Sequence, residues 1–304
     1  MDREPVFEIL DPRFARLFIG TARLDILFSG CRWAEGPAYF PAGRYLVWSD
    51  IPNDRMLRYD ECSGEVSVFR HPSGHSNGNT VDRAGRLVTC EHGGRRVSRT
   101  EVDGTVITLA DRFEGKRLNS PNDVVERSDG SLWFTDPTYG IDSDYEGNKG
   151  ESEQAGNFVY RLDPETGSLT VVGDDFVQPN GIAFSPDEMT LYIVDTGASH
   201  RKDGPRHIRK FAVGAETLID GGVFAESTNG YFDGLRLDTE GRIWTSAGDG
   251  VHCYDVDGTL IGKIKVPEVV ANVCFGGPKR NYLYICGTTS LYGVRLPVTG
   301  AKTF

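Results

Sequence analysis

The 304-residue sequence predicts an all-β fold, a six-bladed β-propeller made of four-stranded antiparallel blades. A pattern of short strand, turn and second strand occurs six times, and successive copies start 39 to 58 residues apart. That interval is typical of a propeller blade rather than of a helical repeat. The copies are in register, because each has a hydrophobic residue eleven positions after its first residue. The six opening residues all carry a side-chain oxygen: Glu35, Asn77, Asn122, Asn180, Asp233 and Asn272.

The fifth copy shows how one repeat becomes a blade. Residues 233–245 alternate apolar and polar positions on both sides of a glycine turn, which predicts two antiparallel strands. Residues 251–264 give a second pair of strands around the turn Asp257-Gly258. Three second strands carry a tryptophan, which we expect to pack between blades. These are Trp48, Trp133 and Trp244.

The last copy lacks a fourth strand. After Asn272 the chain supplies three strands that end near Leu296, whereas the apolar segment 24–28 precedes the first copy without a partner. We therefore expect the N-terminal segment 1–30 to close the ring as the outer strand of the last blade, which leaves no open sheet edge. The whole chain, residues 1–304, is then a single propeller domain.

Composition excludes several classes of protein. A net charge of −11 without a stripe of Lys and Arg argues against nucleic-acid binding. Apolar runs are far shorter than the ~20 residues of a membrane helix, so no membrane partner is expected. Six cysteines without a CxxC pair, and a start without a signal peptide, predict a reduced cytoplasmic protein. The sequence leaves open whether the protein is a monomer or a dimer.

The opening residues predict a metal site. First strands line the central channel of a propeller, so these residues meet at one end of the axis. Hard cations bind carboxylate and amide oxygens; Glu35 and Asp233 supply charge, and Asn122 and Asn180 supply neutral carbonyls. Turn formation is the alternative for any single Asn-Gly or Asp-Gly step, but six copies in register favour one divalent cation. Calcium is the first choice, with zinc, manganese and magnesium as alternatives.

Second strands return to the same end of the axis and bring further residues there. Glu91 and His92 end one of them, and we predict that both contact substrate. Two long loops, 137–156 and 196–205, follow other second strands and are predicted to cover the entrance to the site. Tyr139 of the first loop is a third predicted substrate contact. A solvated flexible loop is the alternative in each case.

Several motifs resemble the gluconolactonase, or senescence-marker-protein-30-like, family. The resemblance spans essentially the whole chain and is strongest to bacterial gluconolactonases. Its motifs are Glu35-Gly36-Pro37, Ser120-Pro121-Asn122-Asp123, Pro179 to Asp187, Asp233-Gly234-Leu235, Cys90 to Val97 and Thr135 to Gly140.

The resemblance implies a six-bladed propeller with a divalent cation on its axis. By motif, the ligands are Glu35, Asn180 and Asp233, with Asn122 as a further ligand or substrate contact, and Asp233 is the catalytic acid/base. One departure concerns sugar binding, because Ser120 stands where animal members carry a sugar-binding arginine.

The expected function is therefore metal-dependent hydrolysis of a small-molecule sugar lactone, such as gluconolactone, to the aldonic acid. The cation would polarise the lactone carbonyl and Asp233 would take the proton of the attacking water. Another lactonase, or an organophosphate-cleaving esterase, could use the same site. A non-catalytic propeller stabilised by calcium is a further alternative, against which the two long loops argue.

Overall fold

The computed structural model describes residues 5–214 and 217–302. Its strands form six antiparallel sheets arranged in a ring, which confirms the six-bladed β-propeller. The first four residues of the predicted closing segment 1–30, and the two ends of the predicted domain 1–304, lie outside the described residues. We number the blades in chain order and their strands from the axis outward.

The first three blades each contain four strands. Blade 1 consists of Ala34–Phe40, Tyr45–Asp50, Arg55–Asp60 and Val66–Arg70. Blade 2 consists of Ser76–Val81, Leu87–Glu91, Arg96–Thr100 and Val106–Ala110. Blade 3 consists of Val124–Glu126, Leu132–Asp136, Asn157–Leu162 and Leu169–Phe176. A short ribbon of Arg112–Phe113 and Lys116–Arg117 precedes blade 3.

The last three blades follow the same plan. Blade 4 consists of Pro179–Phe184, Thr190–Asp195, His207–Val213 and Leu218–Glu226. Blade 5 contains Leu235–Leu237, Ile243–Ala247, Gly250–Tyr254 and Leu260–Lys265. Blade 6 contains Val270–Gly276, Tyr282–Gly287 and Ser290–Arg295. Short helices are Tyr139–Asp142 (α) and Pro12–Arg16, Ile51–Asn53 and Gly197–Ser199 (3-10).

The N-terminal part of the chain closes the ring. The strand Asp25–Ser29 pairs antiparallel with the third strand of blade 6, with Asp25 opposite Gly293, which confirms the predicted closure. A second N-terminal strand, Phe7–Ile9, pairs with the outer strand of blade 5 and gives that blade a fifth strand. The sequence did not predict this strand, because three residues outside the repeat carry no periodic signal.

Aromatic side chains join neighbouring blades. Trp133 of blade 3 packs edge-on against Phe184 of blade 4 with ring centroids 5.6 Å apart. Trp244 of blade 5 packs in the same way on Phe275 of blade 6, at 6.0 Å. Phe14 of the first 3-10 helix is fully buried beside Trp244. Burying a side chain of this size contributes roughly 1.5–3 kcal/mol, so these contacts fix the angle between blades.

Glycines next to the opening residues allow the first strands to meet at the axis. A Cβ atom on Gly78 would lie 2.4 Å from the backbone oxygen of Asn122, and one on Gly181 would lie 2.1 Å from that of Asp233. The same amides donate hydrogen bonds across the gap, from Gly78 N to Asn122 O (2.7 Å) and from Gly181 N to Asp233 O (2.9 Å). These Asn-Gly steps are therefore close contacts between blades and not turns.

Four of the six first strands are irregular at or beside the opening residue. A β-bulge bends a strand and re-aims a side chain, so the opening residues do not follow the regular in-and-out alternation. The shifts fall between Glu35 and Ala38, Ser76 and Asn79, Pro179 and Ile182, and Val270 and Asn272.

Candidate active site

A cavity of about 400 Å³ lies at one end of the propeller axis. Five of the six opening residues line it, and we call these five the inner ring. They are Glu35, Asn77, Asn122, Asn180 and Asp233. The sixth, Asn272, does not line the cavity; its Nδ2 donates to Oε2 of Glu35 at 2.9 Å, and its Oδ1 accepts from the amide of Val273. Apolar wall residues include Trp33, Phe232 and Val270.

Glu35 is held by one of its two carboxylate oxygens. The amide of Gly36 and the side chain of Asn272 both donate to Oε2, and no donor within the described residues reaches Oε1. Gly36 has φ +53°, a left-handed conformation that glycine adopts without strain. Burial raises the pKa of Glu35, although the hydrogen bond from Asn272 opposes this rise. The other carboxylate oxygen is therefore free for a ligand.

Asp233 faces the same cavity from blade 5. Its backbone amide donates to Oγ of Ser246 at 2.8 Å, which fixes the backbone at this point. Burial raises the pKa of Asp233 well above its ordinary value, and the charges of Glu35 and Glu146 raise it further. Two carboxylates that share a low-dielectric site repel each other unless a positive charge lies between them.

Two neutral amides complete this side of the ring. Asn180 donates through Nδ2 to Oγ1 of Thr196 at 3.3 Å, and that hydroxyl donates in turn to the backbone oxygen of Phe232 at 2.9 Å. The backbone of Asn122 is held by its amide, which donates to Thr135 O at 2.8 Å. Both amide side chains line the cavity and can present a carbonyl oxygen to a ligand.

Asn77 is anchored from behind by His92. Nδ2 of Asn77 lies 3.1 Å from Nε2 of His92, whereas Oδ1 is buried without a donor among the described residues. His92 is fully buried and does not line the cavity. Burial lowers the pKa of His92 to about 3, so the ring is neutral at any ordinary pH. The structure therefore places His92 behind the inner ring.

The donor set fits a hard divalent cation. The inner ring offers two carboxylates and three amides, and neither His nor Cys lines the cavity. Calcium and magnesium select such oxygen ligands, whereas zinc sites in proteins usually include nitrogen or sulfur. Across residues 5–214 and 217–302, no group of three His, Cys, Asp or Glu side chains is placed to hold a metal. A cation here would therefore depend on amide oxygens as much as on charge.

The two long loops meet over the cavity. Tyr139 from the first loop and Ser199 from the second line it, with the tyrosine hydroxyl 3.1 Å from Oγ of Ser199. Nε2 of His200 lies 2.7 Å from Oδ2 of Asp142, and the rings of Tyr139 and His200 are in edge contact at 5.3 Å. These contacts join the loops to each other, so the loops form one cover.

Glu146 is a cavity residue that sequence reasoning missed. Its side chain lines the cavity from the first loop. No donor among the described residues forms a hydrogen bond to its carboxylate. Burial raises the pKa of Glu146 to about 7. The neighbouring Gly147 packs closely on Gly140, because a Cβ atom on Gly147 would lie 2.1 Å from the backbone oxygen of Gly140. Loop residues carry no periodicity, so nothing in the sequence told which loop acid points inward.

Glu91, predicted to contact substrate, is bound by protein groups instead. Its carboxylate accepts hydrogen bonds from Arg96 Nε (2.7 Å), Ser98 Oγ (2.6 Å) and Arg70 Nη2 (3.3 Å). Glu91 is 2% exposed and lies outside the cavity of the inner ring. The structure thus brings Asn122 and Tyr139 into the cavity and leaves Glu91 and His92 outside it.

Glu91 belongs to a second set of acids at the same end of the propeller. Each is the last residue of a second strand and is buried, and we call the set the strand-end acids: Asp50, Glu91, Asp136 and Asp195. Asp195 accepts from the backbone amides of Val177, Gln178 and Gly197 at 2.9–3.0 Å. Asp136 accepts from the amide of Asn119 at 2.8 Å. These acids hold backbone in place beside the site.

Ser120, where the family resemblance had implied a departure in sugar binding, supports the first loop. Its Oγ donates to the backbone oxygen of Pro137 at 2.7 Å and accepts from the amide of Gly140 at 2.9 Å. Ser120 is fully buried and does not line the cavity.

Comparison with known proteins agrees with this architecture. The model of the SMP-30/gluconolactonase/LRE-like region matches residues 33–289. The chain belongs to this family. It is 29% identical to the gluconolactonase of Zymomonas mobilis over 95% of this chain and 85% of that protein. It is 34% identical to the pentonolactonase XacC of Haloferax volcanii over 86% of this chain and 83% of that protein.

A solved structure shows the same fold for a family member. XC5397 from Xanthomonas campestris, described as a gluconolactonase, superposes with a TM-score of 0.90 at 40% identity, over 96% of this chain and 94% of that one. The six cysteines of the present chain are all free thiols, five of them buried. Within the part of the chain that the structure describes, no helix is long and apolar enough to cross a membrane.

Proposed function

We propose that this lactone hydrolase opens the ring of a polyhydroxylated sugar lactone of the gluconolactone type, with a divalent cation held by the inner ring. Glu35, Asn180 and Asp233 are the proposed ligands, and Asn122 is a ligand or a substrate contact. Calcium is the proposed ion, because every candidate ligand atom is an oxygen. A bound cation supplies Lewis-acid stabilisation of the negative charge that develops on the lactone carbonyl oxygen.

The main support for the proposal is that the inner ring contains oxygen atoms without hydrogen-bond donors. Buried polar groups in a folded protein normally have hydrogen-bond partners. Here Oε1 of Glu35 and Oδ1 of Asn77 have none among the described residues, and both residues face a cavity of about 400 Å³. Cavities of this size accept small metabolites. Oxygens without donors on residues that line such a cavity support a ligand site and not a structural core.

Asp233 is the proposed proton acceptor. It faces the cavity, and a cation bound beside it would offset the burial and the repulsion from Glu35 and Glu146 that raise its pKa, so that it is ionised and able to accept a proton. A water molecule attacks the lactone carbonyl carbon and Asp233 takes one of its protons. When the bond from that carbon to the ring oxygen breaks, Asp233 returns the proton to the departing oxygen. The products are the aldonic acid and a free hydroxyl on the same molecule, and the new acid releases a proton on ionising.

The cover supplies binding and exclusion of water. Tyr139 and Glu146 enter the cavity from above the inner ring, and Phe232 and Val270 form part of an apolar wall. Hydroxyl groups of a sugar lactone would bond to the polar roof, while the carbon face of the ring packs on the wall. Neither Glu91 nor His92 lines the cavity, so their positions give no support to the substrate contacts that the sequence predicted.

The test follows proton release from freshly dissolved glucono-1,5-lactone, above its spontaneous hydrolysis, in a weakly buffered solution. We expect clear turnover by the wild-type protein and a loss on the order of 10³-fold for Asp233→Ala, as for other proton-transfer residues. A panel of pentonolactones, δ-valerolactone and a phosphotriester identifies the preferred class. Undiminished activity of Asp233→Ala would remove Asp233 from the mechanism, and turnover of the phosphotriester alone would replace the lactone proposal.

A further inference from the structure

Asn77 is the member of the inner ring to which no role has been assigned. It is 4% exposed, it lines the cavity, and its Oδ1 is buried with no hydrogen-bond donor among the described residues. A buried amide oxygen without a hydrogen-bond donor destabilises the folded state, yet Oδ1 of Asn77 is in this state.

The contact with His92 decides which end of the amide faces the cavity. An imidazole nitrogen that carries no proton accepts a hydrogen bond, and one that carries a proton donates. The side chain of Asn77 meets His92 through Nδ2, an NH2 group that only donates, so Nε2 of the ring must accept and the single proton of the ring lies on Nδ1.

Nε2 of His92 is then an acceptor, and Nδ2 of Asn77 donates to it at 3.1 Å. Oδ1 is the other arm of the same planar amide and therefore points away from His92, on a residue that lines the cavity. The other amide at an equivalent position shows the contrast. Asn272 has both ends of its amide occupied by Glu35 and Val273 and does not line the cavity.

We infer that Asn77 contributes a further oxygen ligand to the divalent cation, and that His92 is the positioning residue that turns this oxygen toward the axis. The inference rests on the proposed cation site and extends its ligand set. The oxygen is closed to water-sized molecules, but an ion that lies 2.3–2.6 Å from its ligands can approach more closely than water does. A directly bound cation therefore fits the position of Oδ1 of Asn77 better than a water molecule does.

The arrangement also joins the ring to the cover. His92 contacts Asn77 on one side, and on the other side it packs against the first loop, where a Cβ atom on Gly140 would lie 2.5 Å from Cβ of His92. His92 therefore fills the space between the inner ring and the first loop. Its size and its buried acceptor nitrogen both serve the orientation of Asn77.

The experiment uses Eu³⁺ as a luminescent substitute for Ca²⁺, because the difference between its lifetimes in H2O and D2O counts the water molecules on the ion. We expect Asn77→Ala to add about one bound water and to weaken Ca²⁺ binding, measured by calorimetry, about tenfold, since one protein ligand is replaced by solvent. Asn281→Ala is the matched control, because Asn281 also has a buried Oδ1 without a donor among the described residues but does not line the cavity, and its water count should equal that of the wild type.

His92→Phe tests the positioning role in a double-mutant cycle. It should weaken Ca²⁺ binding in the presence of Asn77 and have no further effect in the Asn77→Ala background, because coupled residues are not additive. His92→Gln, which keeps an acceptor atom, should recover part of the affinity. If Asn77→Ala does not fold, as checked by its melting curve in chelator, Asn77→Ser replaces it.

An unchanged water count and an unchanged Ca²⁺ affinity in Asn77→Ala would overturn the inference while the proposed site stands. Additive effects of the two substitutions would overturn the positioning role of His92. A wild-type protein that binds neither Ca²⁺ nor Eu³⁺ would overturn the proposed cation site and this inference together. The two failures are therefore distinguished by the wild-type measurement.

Discussion

Two sets of acid and amide residues lie at the same end of this propeller and differ in one respect. Most oxygens of the strand-end acids have protein partners: Glu91 accepts from two arginines and a serine, and Asp195 accepts from three backbone amides. Oδ1 of Asp136 is the exception among the described residues of this set. The inner ring keeps oxygens without partners, as Glu35 and Asn77 show. A carboxylate with its full set of donors stabilises structure, whereas one with a free oxygen in a cavity is available for a ligand.

The difference shows why position alone does not define a site. Glu91 and Glu35 are both 2% exposed. Glu35 lies in a first strand, next to the axis, and Glu91 lies in the neighbouring second strand of its own blade. Burial raises the pKa of Glu35, because nothing positive lies close enough to compensate its charge fully. Glu91 is flanked by the guanidinium groups of Arg70 and Arg96. The partners of a buried acid, and not its depth, separate a functional acid from a structural one.

The sharpest comparison makes the same substitution in both sets. Glu35→Gln replaces a free ring oxygen by an NH2 group, so we expect activity to fall on the order of 10³-fold through loss of the cation. In chelator, the same variant should be more stable than the wild type by about 1 kcal/mol, because it removes a buried charge. Urea unfolding and the lactone assay measure the two effects.

Glu91→Gln should give the opposite pattern. Removing one partner of a buried ion pair leaves Arg70 and Arg96 uncompensated, which costs about 3 kcal/mol of unfolding free energy. The folded fraction should keep most of its activity, measured under the same conditions. A Glu91→Gln protein of normal stability without activity would show that the strand-end acid takes part in the chemistry, and the comparison would then be broken.

Glu146 tests whether the cover belongs with the inner ring. Its carboxylate lines the cavity with no recorded protein donor, so hydroxyl groups of the substrate are its natural partners. We expect Glu146→Gln to raise KM for glucono-1,5-lactone about tenfold, the value of one charge-assisted hydrogen bond, and to change kcat little. The KM for δ-valerolactone, which has no hydroxyl groups, should not change.

The matched control for Glu146 lies on the same loop. Glu151 is exposed, and Glu151→Gln makes the same chemical change away from the cavity. It should leave both kinetic constants at their wild-type values. If the KM of both variants rises equally, the effect belongs to loop charge in general and not to a contact with substrate.

Asp136 gives the smallest expected effect, in the pH dependence of stability. Burial raises its pKa to about 7, so the folded state holds a proton that the unfolded state loses near pH 4. The folded protein then binds more protons than the unfolded one between about pH 4 and pH 7, and its stability falls as pH rises through that range.

Asp136→Asn removes this contribution. The loss of unfolding free energy between pH 5 and pH 8, measured by urea unfolding in chelator, should become smaller by about 1 kcal/mol. The remaining dependence of unfolding free energy on pH comes from Glu35, Asp233 and Glu146, whose pKa values are also raised. An unchanged slope would show that Asp136 is ionised throughout this range and that its environment compensates its charge.

The sequence predicted the ring because the repeat is local. Strand, turn and strand recur within one blade, and the unpaired segment 24–28 indicated the closure that Asp25–Ser29 makes. The same locality explains the missed strand Phe7–Ile9, which pairs with blade 5 outside the repeat. It also explains why Asn-Gly steps suggested turns, since the close approach of Gly78 to Asn122 depends on a neighbouring blade.

The site was predicted only in part, for a related reason. The opening residues are visible as a pattern, and five of them share the cavity. Whether an acid there is free or occupied depends on partners from other strands and blades, as with the arginines beside Glu91. The inward direction of Glu146 depends on the contact between Gly147 and Gly140. Such pairings are three-dimensional and have no signature in a single sequence.

The central claim is that the free oxygens of the inner ring hold a divalent cation needed for lactone hydrolysis. The most direct measurement is the initial rate of proton release from fresh glucono-1,5-lactone by protein stripped of metal, as Ca²⁺ is added back. The account predicts no rate above the spontaneous one without metal, and full recovery at about one ion per chain, the capacity of a single oxygen ring. Full activity of protein verified to contain no metal would contradict it.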